Sequence, residues 1–248
     1  MTRSYKYPLL FFIVLSLFLT AGTPDYRNTP PDGFVRLTDL IPTLHVHPGY
    51  HRADNFTEAP LPGYGAADAW MLQTPAQALK TVQDALAPRG LGLLVYDAYR
   101  PRRATLGMVA WAKRNALMHL FTDGYIARYS GHNHGHTVDL TLIELSTGIP
   151  LDMGTPWDTL NEKSHTKNAT GTPLKNRLLL KQVMMDAGFK PYYKEWWHFS
   201  MKMEGTKPRD TPYGCFEPKE WQWTAPEGWD QKGYAMPQSW SPTPCSPH

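Results

Sequence analysis

The chain has 248 residues, of which 42% are hydrophobic and 19% are charged, proportions that describe a folded globular protein with a sizeable core. They exclude an intrinsically disordered chain, which combines low hydrophobicity with high net charge. The formal net charge is only +3 and no dense run of lysine and arginine occurs, so a nucleic acid is a poor candidate partner. The 23 prolines and 9 tryptophans indicate much irregular structure. We find no internal repeat and expect a single core.

The first 22 residues are predicted to be an export signal. Arg3 and Lys6 supply positive charge at its start, an apolar run covers residues 9–19, and small residues follow at 20–22. The alternative is an uncleaved N-terminal helix that anchors the chain. Because a bilayer-spanning helix needs about 20 apolar residues and this run is shorter, cleavage is favoured. We therefore expect an exported protein, periplasmic or extracellular, without stable membrane insertion.

Three helices are predicted from capping residues and apolar periodicity. The first begins with Thr74 as N-cap, Pro75 at the first helical position and Gln77 completing a capping box. The second is predicted over roughly residues 102–118, and the third begins at Thr172. The inward-facing side chains of the third helix are expected to be Leu174, Leu178 and Met185.

A short apolar run over residues 91–96 is typical of a buried strand. Arg100 follows it at a turn fixed by Pro101, where a side chain is aimed rigidly into a cleft. The alternative is a surface arginine paired with Asp97. Upstream, His45 and His47 share one face of a short strand-like segment. No carboxylate accompanies them, so they are interpreted as ordinary strand residues.

The densest group of chemically active residues lies between Ser130 and Asp139, where three histidines and a carboxylate fall within ten positions. Val138 and Leu140 flank Asp139, so strand alternation places the carboxylate on the face opposite the apolar side chains. A loop histidine and Asp139 therefore converge, and imidazole with carboxylate suits zinc. The alternative is a solvated, histidine-rich turn in which Asp139 bonds locally. Since two protein ligands do not complete a site, a third must come from elsewhere.

The obvious further donor is the segment Glu195-Trp-Trp-His198, within a strand predicted over residues 189–201. Strict alternation puts Glu195 and His198 on opposite faces, so both reach one site only where the strand twists or bulges. Aromatic neighbours make such a pocket dry, which raises a glutamate pKa towards a value useful for a general base. The alternative is a structural glutamate beside a buried, hydrogen-bonded histidine.

Together these motifs resemble the zinc D-alanyl-D-alanine dipeptidases, a branch of the zinc D,D-peptidases. The resemblance covers roughly residues 33–203 and implies an α+β fold, in which helices flank a small antiparallel sheet and the zinc site lies in a cleft. The segments that carry it are Tyr99-Arg100-Pro101, Ser130-x-His132-x6-Asp139-Leu-Thr-Leu and Glu195-Trp-Trp-His198, supported by Asp54-Asn55-Phe56-Thr57, Met153-Gly154, Trp157-Asp158 and Asn176-Arg177.

The resemblance implies that His132, Asp139 and His198 bind one zinc ion and leave a fourth position open for water, as a catalytic site requires. It implies that Glu195 is the general base, which takes a proton from that water and delivers it to the leaving amine. His134 and His136 occupy positions where small or polar residues are usual in the family, and neither is interpreted as a ligand.

By the same resemblance, Arg100 stabilises the oxyanion that forms on the scissile carbonyl. Asp158 matches the carboxylate that receives the free ammonium group of the substrate, and Ser130 is a candidate for holding its terminal carboxylate. The implied reaction is hydrolysis of the dipeptide D-Ala-D-Ala. Two alternatives stay open: a D,D-carboxypeptidase that trims terminal D-Ala from peptidoglycan stem peptides, and a non-catalytic zinc-stabilised binding module.

Three segments are therefore expected: a signal peptide over 1–22, a dipeptidase domain over 23–204, and a Pro/Trp-rich extension over 205–248 that packs on the domain. The extension lies outside the resemblance. It contains both cysteines, Cys215 and Cys245, which in an exported protein can form one disulfide.

Overall fold

A computed structural model describes residues 28–214. The predicted export signal, both cysteines and the four tryptophans of the extension lie outside these residues. The helices are α1 Leu37–Leu40, α2 Gln73–Leu86, α3 Arg102–Arg114, α4 His119–Thr122 and α5 Gly171–Asp186. The strands are β1 Phe34–Arg36, β2 His45–Val46, β3 Trp70–Leu72, β4 Leu91–Asp97, β5 Thr137–Glu144, β6 Lys190–Pro191 and β7 His198–Ser200.

The main sheet has the strand order β2-β4-β5-β7-β6, and every pair in it is antiparallel except β2 with β4. β1 and β3 form a separate antiparallel pair. The predicted α+β class, with a small and mostly antiparallel sheet flanked by helices, is confirmed. Within residues 28–214 no helix combines the length and the apolar character needed to cross a membrane.

The central strand β5 follows the alternation predicted for it. Val138, Leu140 and Leu142 are fully buried in the hydrophobic cluster that includes side chains of α2 and α5. Asp139 and Thr141 therefore project from the opposite face of the sheet. This face carries the polar site.

The register of the sheet places three polar residues side by side. Asp97 in β4 is the partner of Asp139 in β5, and Asp139 is the partner of His198 in β7. Between Val95 and Asp97 the β4–β5 register shifts, an irregularity of the kind that re-aims a side chain. Strand pairing therefore fixes the spacing of this row.

The described residues form two hydrophobic clusters, so the expectation of a single core was wrong. One cluster lies between the main sheet and helices α2 and α5. The other is rich in aromatic side chains, among them Trp70, Tyr99 and Tyr213, and includes residues of α3. Trp157 packs against both clusters. The second cluster escaped prediction because its aromatic members come from short segments that are far apart in the sequence.

The single strand predicted over residues 189–201 is also wrong. The chain instead forms β6, a tight turn and β7, and the two strands pair antiparallel. The Tyr192 amide donates to the His198 carbonyl at 2.9 Å, and the His198 amide donates to the Glu195 carbonyl at 3.2 Å. Glu195 thus lies in the turn and not on a strand face, so it reaches the same site as His198.

Two details of the predicted helices need correction. α2 begins at Gln73, before Thr74, and no side chain caps it, so the capping box with Gln77 does not form. In α5, Leu178 and Met185 were expected to face inward but are 48% and 46% exposed. The residues that α5 buries are Arg177, Leu180 and Met184. The apolar pattern predicted the wrong buried face because Arg177 lies on the face of α5 that is buried.

Residues 205–214 run back over the domain. The Arg209 amide donates to the Asn133 carbonyl at 2.8 Å, and the Arg209 carbonyl accepts from the Arg102 amide at 3.0 Å. Asp210 accepts a hydrogen bond of 2.7 Å from the Arg103 amide. The described start of the C-terminal extension therefore packs against the loop and the helix that lead to the site.

Candidate metal centre and active site

One cavity of about 640 Å³ holds every site residue predicted from the sequence. It lies on the polar face of the main sheet, over the row formed by Asp97, Asp139 and His198. The predicted residues that line it are Arg100, Ser130, His132, Asp139, Asp158, Glu195 and His198.

Three side chains in this cavity form a compact donor triangle. His132 Nε2 lies 3.3 Å from Asp139 Oδ1 and 3.3 Å from His198 Nδ1. His198 Nδ1 lies 3.0 Å from Asp139 Oδ1. Ligand atoms at about 2.0 Å from a tetrahedral zinc ion are separated by about 3.3 Å. The triangle therefore has the dimensions of a zinc ligand set, and these are the residues of the described chain that group as a metal site.

The main chain orients His132 within this triangle. Its Nδ1 lies 2.7 Å from the Ala98 carbonyl oxygen, which accepts the ring proton and leaves Nε2 as the metal-binding nitrogen. Ser130 Oγ accepts a hydrogen bond from the His132 amide at 3.2 Å. Gly135, with φ +76°, ends the short helical turn Gly131–His134 and directs the chain into β5.

The electrostatics of the triangle favour the metal-binding protonation states. Burial opposes ionisation of Asp139, but His132 and His198 outweigh it and lower the pKa of the carboxyl far below its ordinary value. Burial lowers the pKa of His198. These shifts favour the carboxylate of Asp139 and the neutral imidazole of His198, which are the forms that bind a metal ion.

Glu195 reaches the triangle from the turn between β6 and β7. Its Oε2 lies 3.6 Å from His198 Nδ1, and the side chain is buried. Burial, reinforced by the negative charges of Asp139 and Asp158, raises the pKa of Glu195 well above its ordinary value. The adjacent Trp196 and Trp197 are buried in the hydrophobic core and do not line the cavity, whose aromatic lining next to Glu195 includes Tyr125 and Tyr192.

Arg100 combines the two alternatives that the sequence left open. It pairs with Asp97, whose Oδ2 lies 2.8 Å from Nε and 2.7 Å from Nη2, but the pair is buried and not on the surface. Its guanidinium carbon lies 5.0 Å from the centre of the Tyr50 ring, and Nη2 lies 3.9 Å from Asp139 Oδ2. Asp97 Oδ2 is also 3.4 Å from His132 Nδ1. Asp97 thus contacts both a metal-ligand candidate and the arginine.

Asp158 faces the same cavity from a loop. Its Oδ2 accepts a hydrogen bond of 2.7 Å from the Tyr50 hydroxyl, and its backbone has φ +58°, a left-handed conformation that is uncommon for residues other than glycine. Burial, followed by the charge of Asp139, raises the pKa of the Asp158 carboxyl well above its ordinary value. The neighbouring Trp157 places its indole nitrogen 3.4 Å from Asp139 Oδ2 and packs directly on the Gly49 backbone.

Sequence reasoning missed Asp97 as a site residue, and it missed Tyr50 and Trp157 as supports. A signal existed for Asp97, since it directly follows the strand predicted over residues 91–96 and stands three positions before Arg100. A lone Tyr50 in an irregular segment gave none. Outside the site, His134 Nδ1 lies 3.0 Å from Thr206 Oγ1, away from the donor triangle.

The cavity contains the components of a metallohydrolase site. Two nitrogen donors and one carboxylate have tetrahedral spacing, and a buried carboxyl group and a buried arginine lie beside them.

Comparison with known proteins identifies the family. A family model described as D-Ala-D-Ala dipeptidase matches residues 31–218. A D-alanyl-D-alanine dipeptidase of Enterococcus faecalis is 33% identical over 185 residues, which are 68% of this chain and 92% of the relative. Dipeptidases of the same name from Streptomyces coelicolor and Escherichia coli are 33% and 32% identical, covering 69% and 73% of this chain and 92% of each relative. The chain belongs to the D-Ala-D-Ala dipeptidase family, whose members are zinc enzymes.

Proposed function

We propose that this protein hydrolyses the dipeptide D-Ala-D-Ala to two D-alanines and that His132, Asp139 and His198 hold its single zinc ion. The observation that carries the proposal is the convergence of these ligands with Glu195 and Arg100 in one cavity, in a chain of this family. A zinc ion at this position supplies Lewis acidity towards the scissile carbonyl and makes water a stronger nucleophile near neutral pH.

Glu195 is the proposed general base and acid. Its carboxylate takes a proton from the attacking water as the water oxygen bonds to the carbonyl carbon, and it then passes that proton to the amine as the carbon–nitrogen bond breaks. Its position in the turn, 3.6 Å from His198 Nδ1, supports this role. Burial raises the pKa of Glu195, and this direction also supports the role, because it makes the carboxylate a stronger base than an exposed glutamate.

Arg100 is the proposed donor to the oxyanion. Asp97 holds its Nε and Nη2 at 2.8 and 2.7 Å, so the guanidinium is fixed before substrate arrives. A preorganised donor of this kind lowers the barrier by about 3 kcal/mol in comparable sites.

Asp158 and Ser130 are proposed to bind the two ends of the dipeptide. The Asp158 carboxylate, held by Tyr50, pairs with the free ammonium, and the Ser130 hydroxyl can donate to the terminal carboxylate. A longer peptide lacks the ammonium at this position and leaves Asp158 buried without its partner, which disfavours binding. This argues against a D,D-carboxypeptidase, whose stem-peptide substrates extend on the amino side.

We further propose that the enzyme acts outside the cytoplasmic membrane. The support is the sequence of residues 1–22, with its basic start and short apolar run. The extension over 205–248 is proposed to pack on the domain, which the contacts of residues 205–214 support.

The test uses the full chain loaded with zinc and measures D-alanine release from free D-Ala-D-Ala and, separately, from a peptidoglycan pentapeptide. Glu195→Gln removes the proposed base, and Glu204→Gln changes a glutamate in the exposed pair with Lys202 and serves as the matched control. Release from the dipeptide alone, lost in Glu195→Gln and kept in Glu204→Gln, is the expected result. Preference for the pentapeptide would place the protein among the carboxypeptidases, and no release from either would overturn the proposal.

A further inference from the structure

Arg177 in α5 donates hydrogen bonds to two separate stretches of one loop. Its Nε donates to the Met153 carbonyl at 2.7 Å, and its Nη2 lies 3.3 Å from Thr155 Oγ1. Its Nη1 donates to the carbonyls of Lys163 and His165 at 3.0 and 2.9 Å. The guanidinium therefore joins the two ends of the segment 153–165.

The Arg177 side chain mainly fixes the shape of the loop and does not mainly neutralise a negative charge. Arg177 is 1% exposed, and its acceptors in this group are neutral carbonyl and hydroxyl oxygens. Burial accordingly lowers the pKa of Arg177, with the charge of Asp152 opposing the shift. The planar guanidinium presents five N–H donors in a fixed arrangement, which a lysine ammonium cannot reproduce.

The segment that Arg177 closes carries Asp158 into the cavity. The positive φ of Asp158 is costly for a residue with a side chain and persists only where the surroundings fix it. Trp196 binds the same segment, since its indole nitrogen donates to Thr155 Oγ1 at 2.9 Å and its amide donates to the Ser164 carbonyl at 3.2 Å.

We propose that Arg177 is a positioning residue: by closing the loop 153–165 it holds the Asp158 carboxylate where the ammonium group of the substrate binds. The inference rests on the proposed dipeptidase function. It adds a residue that lies outside the cavity lining and acts on specificity through Asp158.

The positioning of Asp158 by Arg177 is tested by steady-state kinetics of four variants: Arg177→Ala, Arg177→Lys, Asp158→Asn and the double variant Arg177→Ala/Asp158→Asn. Lys175→Ala, an exposed change in the same helix, is the control. Misplacement of a binding group by a remote change can cost about 10²-fold in rate, so Arg177→Ala is expected to lower kcat/KM for D-Ala-D-Ala by 10- to 100-fold, mainly through KM. Arg177→Lys should fall between Arg177→Ala and the parent, and Lys175→Ala should match the parent.

The double variant and a modified substrate separate positioning from general damage. If Arg177 acts through Asp158, the kcat/KM of the double variant should be no more than about twofold below that of Asp158→Asn. The preference for free over N-acetylated dipeptide should fall in Arg177→Ala to the level of Asp158→Asn. Guanidinium ion at low millimolar concentration should partly restore the KM of Arg177→Ala but not that of Asp158→Asn. Additive losses, or an unchanged preference for the free dipeptide, would overturn the proposal.

A readout independent of activity is amide hydrogen exchange over residues 153–165. Protection is expected to fall there in Arg177→Ala while β5 keeps its protection. Equal protection in variant and parent would overturn the proposal even if the enzyme proved inactive on D-Ala-D-Ala. Inactivity of the parent would count against the proposed function alone. If Arg177→Ala does not fold, Arg177→Lys takes its place in the cycle and in the exchange measurement.

Discussion

Two ion pairs of almost equal length occupy opposite environments in this protein. Arg100 Nη2 and Asp97 Oδ2 are 2.7 Å apart, with side chains 10% and 0% exposed. Lys80 Nζ and Asp84 Oδ2 are 2.6 Å apart on the surface of α2, with side chains 40% and 62% exposed. Asp97→Ala and Asp84→Ala therefore remove a carboxylate from a buried pair and from an exposed pair. Asp97 in addition accepts a hydrogen bond from the Tyr64 hydroxyl and lies 3.4 Å from His132 Nδ1, which adds to the expected cost of removing it.

The expected losses of stability differ by almost an order of magnitude. Removing one partner of a buried pair costs about 3–5 kcal/mol, because the remaining charge stays buried without its counter-charge. At about 2–4 °C per kcal/mol for a domain of this size, Asp97→Ala should lower Tm by roughly 6–20 °C. The exposed helical pair contributes only about 0.3–0.5 kcal/mol, so Asp84→Ala should lower Tm by about 1–2 °C.

The assay is thermal unfolding followed by circular dichroism at one fixed concentration of free zinc, since a ligand that binds the folded state raises Tm. Activity should fall as well, because Arg100 loses the group that aims it. The kcat of Asp97→Ala is expected to drop by up to about 10²–10³-fold, the range for loss of one oxyanion donor. Equal Tm shifts in the two variants, or an unchanged kcat in Asp97→Ala, would refute the argument that Asp97 fixes Arg100.

Three further outcomes are expected. Glu195→Gln should lower kcat by about 10²–10⁴-fold while elemental analysis still finds one zinc per chain, and loss of zinc would mean that Glu195 is a ligand. His132→Ala should abolish stoichiometric zinc binding, and a chelator should lower the Tm of the parent but not that of this variant, since metal that binds the folded state stabilises it. Gly49→Ala would place a Cβ 2.0 Å from the Trp157 ring. Overpacking of this kind lowers the free energy of unfolding by about 1–3 kcal/mol, which a denaturation curve measures. An unchanged denaturation midpoint would show that the ring moves aside freely.

Two members of the donor triangle, His132 and Asp139, could be predicted from the sequence because their information is local, whereas His198 required a second motif 59 positions beyond Asp139. Asp139 stands within an alternating strand, and His132 lies in the loop that enters it. The relation between Glu195 and His198 could not be predicted, because a turn closed by main-chain hydrogen bonds replaced the expected straight strand. Residue types alone do not reveal whether the segment Tyr192–His198 continues as a strand or reverses the direction of the chain.

Other contacts depend on distant parts of the chain. Asp97 meets Asp139 only through the β4–β5 register and its shift. Tyr50 reaches Asp158 from an irregular segment 108 positions away. The burial of Arg177 was not predicted because patterns of hydrophobicity assign arginine to the surface. In the structure its guanidinium donates hydrogen bonds to buried carbonyl groups. The site was thus predictable where neighbouring residues define it and unpredictable where tertiary pairing does.

The row across β4, β5 and β7 also bears on how the chain folds. Asp139 and His198 are 59 positions apart, and His132 and His198 are 66 apart, so the donor triangle requires closure of long loops. Contacts of this range slow folding relative to local ones. A chain that has formed its helices but has not docked β7 on β5 presents no complete set of ligands. Tight zinc binding therefore arises only with native strand pairing, and uptake of the ion reports that the sheet has closed.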